Sequence, residues 1–165
     1  MSQVYVSIGS NIERRKHISA ALRMLVQEFG ALVQSPVYES NAVGFESAPF
    51  YNLVVGFDTG LSPGAVRDRL HAIEDRNARD RHAGLGARTL DLDILLYDDL
   101  VMDRDGVVLP RDDITRYAFV LRPLAEIAGS KRHPVSGKRL DELWSEFADA
   151  SQVLQPVDWL PPETA

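Results

Sequence analysis

The chain has 165 residues, no cysteine and a net charge of −6 at pH 7. The lack of cysteine excludes disulfides, thiolate metal ligands and a cysteine nucleophile. The acidic balance argues against a nucleic-acid surface, because such surfaces gain most of their affinity from lysine and arginine. The length predicts a single domain over residues 1–165 with a substantial hydrophobic core.

The N-terminal residues lack a basic leader followed by an apolar run. No stretch approaches the roughly 18 apolar residues that a membrane span requires. These features predict a cytoplasmic protein without a membrane partner. We expect a monomer rather than an oligomer.

Four elements are predicted in the first third of the chain. Alternating apolar residues from Val4 to Ile8 indicate a strand that ends in a Gly-Ser-Asn turn. Apolar residues recur at helical spacing from Ile18 to Phe29, with Gly30 as a C-cap, and predict a helix. Two further strands are predicted from Leu32 to Ser40 and from Phe50 to Asp58, joined by a loop over residues 41–49.

The next helix is marked by Ser62, an N-cap residue placed before Pro63, and should end near Asn77. A loop over residues 79–87 then leads into a strand that ends at Tyr97. The rest of the chain predicts a hairpin with strands at 100–102 and 107–109, short helices around 119–127 and 140–147, and a loosely held tail from about Pro156.

The order strand, helix, strand, strand, helix, strand is that of the split βαβ arrangement. It predicts an α+β, ferredoxin-like fold in which an antiparallel sheet carries both helices on one face. A C-terminal hairpin and short helices are added to this unit. The other face of the sheet would then be free to carry a site.

Asp91 and Asp93 lie two residues apart in the strand that ends at Tyr97, so both carboxylates should project from the same face. Paired carboxylates repel one another unless a cation lies between them. Mg²⁺ suits such a pair because it takes one or two carboxylates together with waters and phosphate oxygens. Arg88 lies just upstream, where it could bind phosphate. For an isolated Asp-x-Asp, the alternative is an edge strand with its polar face in water.

The region from Glu74 to Arg116 contains eleven acidic residues, seven arginines and no lysine. The planar guanidinium is suited to bidentate phosphate contacts, so this mixture favours a site for metal and phosphate. A surface network of ion pairs would give the same composition.

Several segments together resemble the 6-hydroxymethyl-7,8-dihydropterin pyrophosphokinases of folate synthesis. The Arg-Thr-Leu-Asp-Leu-Asp-Ile stretch at residues 88–94 is specific to that family, and the resemblance extends over about residues 4–128. The other matching segments are Tyr5–Ile12, the loop ending at Gly44, Phe50–Asn52, Ile73–Glu74 with Arg79 and Arg81, and Phe119–Ala128.

The resemblance implies an enzyme that transfers the β,γ-pyrophosphoryl group of ATP to the hydroxymethyl oxygen of the pterin and releases AMP, with two Mg²⁺ ions. It assigns Asp91 and Asp93 to the metals, and it assigns Arg79 and Arg88 to the phosphates and the transition state. The residues implied on the ATP side are Glu74, Arg79, Arg81, Arg88, Ile94, Arg111 and Arg116. Those implied on the pterin side are Val43, Gly44, Phe50, Asn52 and Phe119, of which Val43, Phe50 and Phe119 would individually be interpreted as core residues.

The chain departs from the family pattern mainly on the nucleotide side. Gly84 and Leu85 stand where the family commonly has an arginine and an aromatic residue, and Ala87 stands where it has proline. Arg111 replaces a usual histidine, and Tyr117 replaces an expected arginine. The residues that could replace the lost contacts are His82, Arg111 and Arg116.

The expected partners are small molecules, a dihydropterin and ATP, and not nucleic acid. A second hypothesis is a paralogue that binds pterin with little turnover. A third is an enzyme that acts on a modified pterin. The second hypothesis is disfavoured because a pure pterin binder does not require a clamp for triphosphate.

Overall fold

The computed structural model describes residues 1–41, 48–77 and 89–161. Eight strands and five helices are present in this part of the chain. The strands are β1 (Ser2–Ser10), β2 (Val33–Gln34), β3 (Tyr38–Ser40), β4 (Phe50–Thr59), β5 (Asp91–Tyr97), β6 (Met102–Arg104), β7 (Val107–Leu109) and β8 (Gln155–Pro156). The helices are α1 (Arg14–Phe29), α2 (Pro63–Arg76), α3 (Asp113–Arg116), α4 (Ala118–Ala128) and α5 (Leu140–Ser145).

One antiparallel sheet organises the molecule. Its strands follow the order β5-β1-β4-β3-β8, and β2 also pairs with β4. The long β1 and β4 strands pair along their whole length, from Ser2 opposite Thr59 to Ser10 opposite Tyr51. The predicted mixture of helices with an antiparallel sheet is therefore confirmed. None of the helices in the described residues is long and apolar enough to cross a membrane.

Both long helices pack on the same face of the sheet, as the sequence predicted. Ile18 and Leu22 of α1 and Leu70 of α2 are fully or almost fully buried against apolar residues of β1 and β4. Local signals define the ends of these helices. The Ser62 hydroxyl accepts a hydrogen bond from the Ala65 amide at 3.2 Å and caps α2, and Gly30 ends α1 with a positive φ of 86°.

The opposite face of the sheet is not free, contrary to the sequence prediction. Helix α4 lies across it, where Leu121 and Leu124 are buried together with Tyr5, Val54 and Leu95 of the sheet. The short helix α5 packs against α4 and contributes the buried Leu140. Among the described residues, a cleft remains at one end of this face, beside the first turn of α4.

The second predicted strand is in fact two short strands, β2 and β3, separated by Ser35-Pro36-Val37. Pro36 has no amide hydrogen and so cannot continue the ladder. The Ser35 hydroxyl compensates by accepting a hydrogen bond from the Val54 amide at 2.9 Å. The predicted hairpin is present, but its first strand begins at Met102 rather than at residue 100.

A β-bulge in β5 changes which face its last residues occupy. Val6 lies opposite Ile94, whereas Tyr5 lies opposite Leu96, so Leu95 is the extra residue. Strict alternation along β5 would place Leu96 on the same face as Leu92 and Ile94, but Leu96 is buried with α4 instead. The two aspartates precede the bulge and keep their common face.

The tail differs from its prediction as well. Residues 155 and 156 form β8, which pairs with β3, and the Val157 amide donates to the Val37 carbonyl at 3.0 Å. The Trp159 ring stacks on Tyr51, with ring centroids 6.1 Å apart. These apolar side chains pack against the main core, which explains why a proline-rich segment is held in place.

Candidate functional site

A cleft of about 230 Å³ opens at the uncovered end of the sheet, beside the first turn of α4. We call it the sheet-end cleft. It forms where β1 and β3 end and where β4 and β5 begin. Its lining consists of Ser7, Ile8, Gly9, Ser40, Asn41, Phe50, Asn52, Asp91, Asp93, Arg111, Asp113, Phe119 and Val120.

The paired carboxylates of β5 line this cleft. Asp91 lies opposite Gly9 and Asp93 opposite Ser7 on the neighbouring strand β1, and both aspartates are half-buried. Gly9 has no side chain to fill the floor of the cleft. A Cβ at this position would lie only 3.2 Å from the Asn52 Oδ1 atom and would crowd that amide. The sheet therefore holds both carboxylates at the base of a space large enough for a ligand.

The donor set fits Mg²⁺ held partly by its ligand. Within residues 1–41, 48–77 and 89–161, no group of three or more His, Cys, Asp or Glu side chains could hold a metal ion. Two carboxylates on one strand are instead the protein contribution typical of Mg²⁺ bound together with phosphate oxygens and water. The cleft supplies hard oxygen donors and leaves the remaining coordination positions to such a ligand.

Arg111 lies within the same cleft. Its Nη2 atom is 3.6 Å from Asp93 Oδ1, and its Nε atom donates to Asp113 Oδ2 at 3.1 Å. Burial alone lowers the pKa of this guanidinium, but the charges of Asp93 and Asp113 outweigh burial and raise the pKa above its ordinary value. A permanent positive charge therefore stands beside the aspartate pair, where it can also contact an anionic ligand.

Glu74 supports the aspartate strand from behind. Its side chain, 3% exposed, accepts a hydrogen bond from the Leu92 amide at 2.9 Å. Leu92 lies between the two aspartates. Within the described residues, β5 is an edge strand of the sheet. A carboxylate from α2 thus accepts a hydrogen bond from a backbone amide of this edge strand. Ile94, expected on the ATP side, is buried in the core and borders a neighbouring depression whose lining also includes Asp93 and Arg111 of the sheet-end cleft.

The opposite wall of the cleft combines an amide with aromatic rings. Asn52 is buried on β4, and its Nδ2 atom donates to the Ser40 hydroxyl at 2.7 Å. Phe50 and Phe119 are half-buried at the cleft surface. The Tyr117 ring stacks on Phe119 with centroids 5.1 Å apart. An amide edge beside half-buried aromatic rings suits a flat heterocycle with polar edges.

The structure does not bring all the sequence-predicted residues together. Arg116 borders a different cavity, next to Leu143 and Phe147, and does not line the sheet-end cleft. Several expected site residues lie outside the described part of the chain: Val43, Gly44, Arg79, Arg81 and Arg88, as well as His82, Gly84, Leu85 and Ala87.

Sequence reasoning missed seven lining residues: Ser7, Ile8, Gly9, Ser40, Asn41, Asp113 and Val120. Ser7 lines the cleft because it lies opposite Asp93 in the pairing of β1 with β5. Asn41 lines it because it directly follows the last residue of β3. Neither carries a local signal. Asp113 could have been noticed as an acidic residue two positions after Arg111, which is close enough for the ion pair that the structure shows.

The fold and the cleft define a class of protein: an α+β protein with an antiparallel sheet, in which paired carboxylates and an arginine share one cleft with an amide and two aromatic rings. A sequence model of the family described as 7,8-dihydro-6-hydroxymethylpterin-pyrophosphokinase (HPPK) matches residues 5–129. The chain belongs to this family.

Curated relatives agree with this assignment. A Pseudomonas aeruginosa protein named 2-amino-4-hydroxy-6-hydroxymethyldihydropteridine pyrophosphokinase is 40% identical over 147 residues, which cover 87% of this chain and 90% of that protein. A Haemophilus influenzae protein of the same name is 34% identical over 157 residues, which cover 93% of this chain and 98% of its own length.

Solved structures share the fold. A crystal structure described as HPPK-DHPS in complex with substrates has a TM-score of 0.73 at 12% identity and matches 91% of this chain. A Plasmodium falciparum HPPK-DHPS structure with pteroate has a TM-score of 0.71 at 14% identity and matches 88% of this chain. This chain spans less than half of those chains, 44% and 43% respectively.

Proposed function

We propose that the protein transfers the β,γ-pyrophosphoryl group of ATP to the hydroxymethyl oxygen of 6-hydroxymethyl-7,8-dihydropterin and releases AMP. The observation that carries the proposal is the 40% identity, over nearly the whole chain, to a protein named as this pyrophosphokinase. The sheet-end cleft agrees with it chemically, because carboxylates, a cation and a flat-ring pocket lie within one small space.

Asp91 and Asp93 are proposed to hold two Mg²⁺ ions together with the triphosphate. When bound, the metal would neutralise charge that develops on the transferred group. The protein's part is geometric, because β5 fixes both carboxylates on one face and Glu74 holds the amide between them. Glu74 would therefore serve the ATP side through the strand rather than by touching the nucleotide.

Arg79 and Arg88 are proposed to hold the phosphates, and Arg81 is proposed to contact the nucleotide, by their positions in the family pattern. On the pterin side, Asn52 would hydrogen-bond the ring edge and Phe119 would stack on its face. Phe50 would complete the pocket with Val43 and Gly44. The fold of this unit is proposed to be ferredoxin-like, as a single domain, which the order β5-β1-β4-β3 with α1 and α2 on one face supports.

Removing the stacking ring should weaken pterin binding. We expect Phe119→Ala to lower pterin affinity by about 1–3 kcal/mol, because the ligand loses both aromatic stacking and buried area. Isothermal titration calorimetry with the pterin measures this loss. Phe29→Ala is the control, since Phe29 stacks on Phe57 in the core on the opposite face of the sheet. Unchanged affinity in Phe119→Ala would place the pterin elsewhere.

Arg111 and Arg116 can be compared directly as candidate replacements for the missing nucleotide contacts. We expect Arg111→Ala to raise the dissociation constant of Mg·ATP by about tenfold or more, because a charge-assisted hydrogen bond contributes roughly 1.5–3 kcal/mol. Arg116→Ala should leave it nearly unchanged, because Arg116 does not line the sheet-end cleft. The two variants are matched in charge, so equal effects of both would contradict a specific role of Arg111.

The proposed reaction is tested by incubating the protein with Mg²⁺, ATP and 6-hydroxymethyl-7,8-dihydropterin and separating the nucleotides. AMP should form in proportion to pterin consumed, and none should form without pterin. Formation of ADP in place of AMP, or binding of pterin without AMP formation, would contradict the proposed transfer.

A further inference from the structure

The first turn of α4 is tied to a distant part of the chain. Tyr117 is the N-cap residue of this helix, and its side chain makes no capping hydrogen bond. The Gln152 side chain takes over this function. Its Oε1 atom accepts from the Ala118 amide at 2.8 Å, and its Nε2 atom donates to the Arg116 carbonyl at 2.8 Å. One amide group therefore bridges the backbone on both sides of Tyr117.

Gln152 is itself held in a fixed position. Its Nε2 atom also donates to Asp149 Oδ2 at 3.0 Å, and the other oxygen of Asp149 accepts from the Ser151 amide at 3.0 Å. Hydrogen bonds from Ser151 and Gln152 lower the pKa of the Asp149 carboxyl. Three residues after Gln152, the chain joins the sheet as β8 and continues to the stacked Trp159. The Gln152 side chain is therefore held by Asp149, which precedes it in the chain, and by the pairing of β8, which follows it.

The same segment forms the back of the aromatic wall. Residues 151–154 border a small cavity together with Ser40, Asn41, Ala118 and Phe119. Phe119, Ser40 and Asn41 also line the sheet-end cleft, so this segment lies directly behind the wall of the cleft. It is also outside residues 5–129, the part that the family model matches.

We infer that Gln152 is a positioning residue for pterin recognition, acting through the first turn of α4 to fix the ring of Phe119. This inference rests on the proposed function, because it takes the stacked ligand to be the pterin. Unpaired amides at the start of a helix permit the first turn to fray. Phe119 is the second residue of α4, so fraying would move its ring out of the plane that stacking requires.

The test uses the full chain with Gln152→Met, which keeps the side-chain length and removes all three side-chain hydrogen bonds, those with Ala118, Arg116 and Asp149. We expect the KM for the pterin to rise about tenfold, on the scale of one to two lost hydrogen bonds, with the KM for ATP changed by less than about twofold. Gln155→Met is the matched control three residues further along the chain, because Gln155 is exposed and does not border this cavity. Gln152→Glu retains an acceptor for the Ala118 amide but sets a carboxylate oxygen against Asp149 and the Arg116 carbonyl, so it should also raise the KM for the pterin.

Amide hydrogen exchange gives a readout that needs no substrate. The Ala118 amide should exchange faster in Gln152→Met, whereas the Val54 amide in the sheet should not. Equal exchange at Ala118 in both proteins, or faster exchange with an unchanged KM for the pterin, would overturn the positioning role. If the unmodified protein forms no AMP, the proposed reaction fails, and pterin affinity from calorimetry then replaces KM in deciding the role of Gln152.

Discussion

Replacing Asp91 or Asp93 with alanine is expected to remove nearly all transfer activity while leaving the fold intact. Both carboxylates face the sheet-end cleft, and the neighbouring Leu92 and Ile94 keep the strand in the core. A bound metal contributes several kcal/mol of transition-state stabilisation, so we expect the rate of AMP formation to fall on the order of 10³-fold. Binding of Mg·ATP should weaken too. With one metal ligand removed, less of the triphosphate's negative charge is neutralised, and the triphosphate is repelled by the remaining aspartate.

The matched control is Asp103→Ala. Asp103 is exposed on the hairpin strand β6 and does not line the sheet-end cleft, so its removal takes away the same charge outside the cleft. Circular dichroism and thermal unfolding should be unchanged in all three variants. Activity within about tenfold of the unmodified protein in Asp91→Ala or Asp93→Ala would contradict the assignment of these residues to the metal.

Glu74→Leu is expected to destabilise the protein and to reduce activity together. The substitution leaves the buried Leu92 amide without its acceptor, which costs about 1–3 kcal/mol of unfolding free energy. The edge of β5 should then loosen, and with it the spacing of the two aspartates. Denaturant unfolding measures the stability, and initial rates at varied ATP measure the functional effect.

Glu74→Gln distinguishes two possible roles of Glu74, which are support of β5 and direct contact with the nucleotide. Glutamine retains a side-chain oxygen that can accept from the Leu92 amide, so its stability and its KM for ATP should lie closer to the unmodified protein than those of Glu74→Leu. If Glu74 instead binds the nucleotide, Glu74→Gln would keep full stability and lose ATP affinity. That result would contradict the role proposed for this residue.

Local sequence signals predicted the long elements of the fold. Helical spacing of apolar residues located α1, and the Ser62 cap with Pro63 located the start of α2. The alternation of apolar residues in β1 and β4 has the period of a strand, and these two strands form the middle of the sheet. Such signals are local because they depend only on the spacing of apolar residues within one element and on the residues at its ends.

The features that local signals did not predict depend on contacts between distant residues. The bulge at Leu95 is visible only in the pairing of β5 with β1, and β8 is held by a strand more than a hundred residues earlier. The packing of α4 on the second face of the sheet likewise depends on contacts with distant strands. In the site, the spacing of Asp91 and Asp93 was sufficient to place them on one face, but no local pattern links Gln152 to Ala118.

The position of isotopic label in the products tests the central proposal most directly. With ATP labelled in turn at the α-, β- and γ-phosphorus, transfer of an intact pyrophosphoryl group places the β and γ labels in the pterin product and leaves the α label in AMP. Asp91→Ala serves as the inactive control in the same assay. Transfer of the γ label alone, with the β label retained in ADP, would contradict the account.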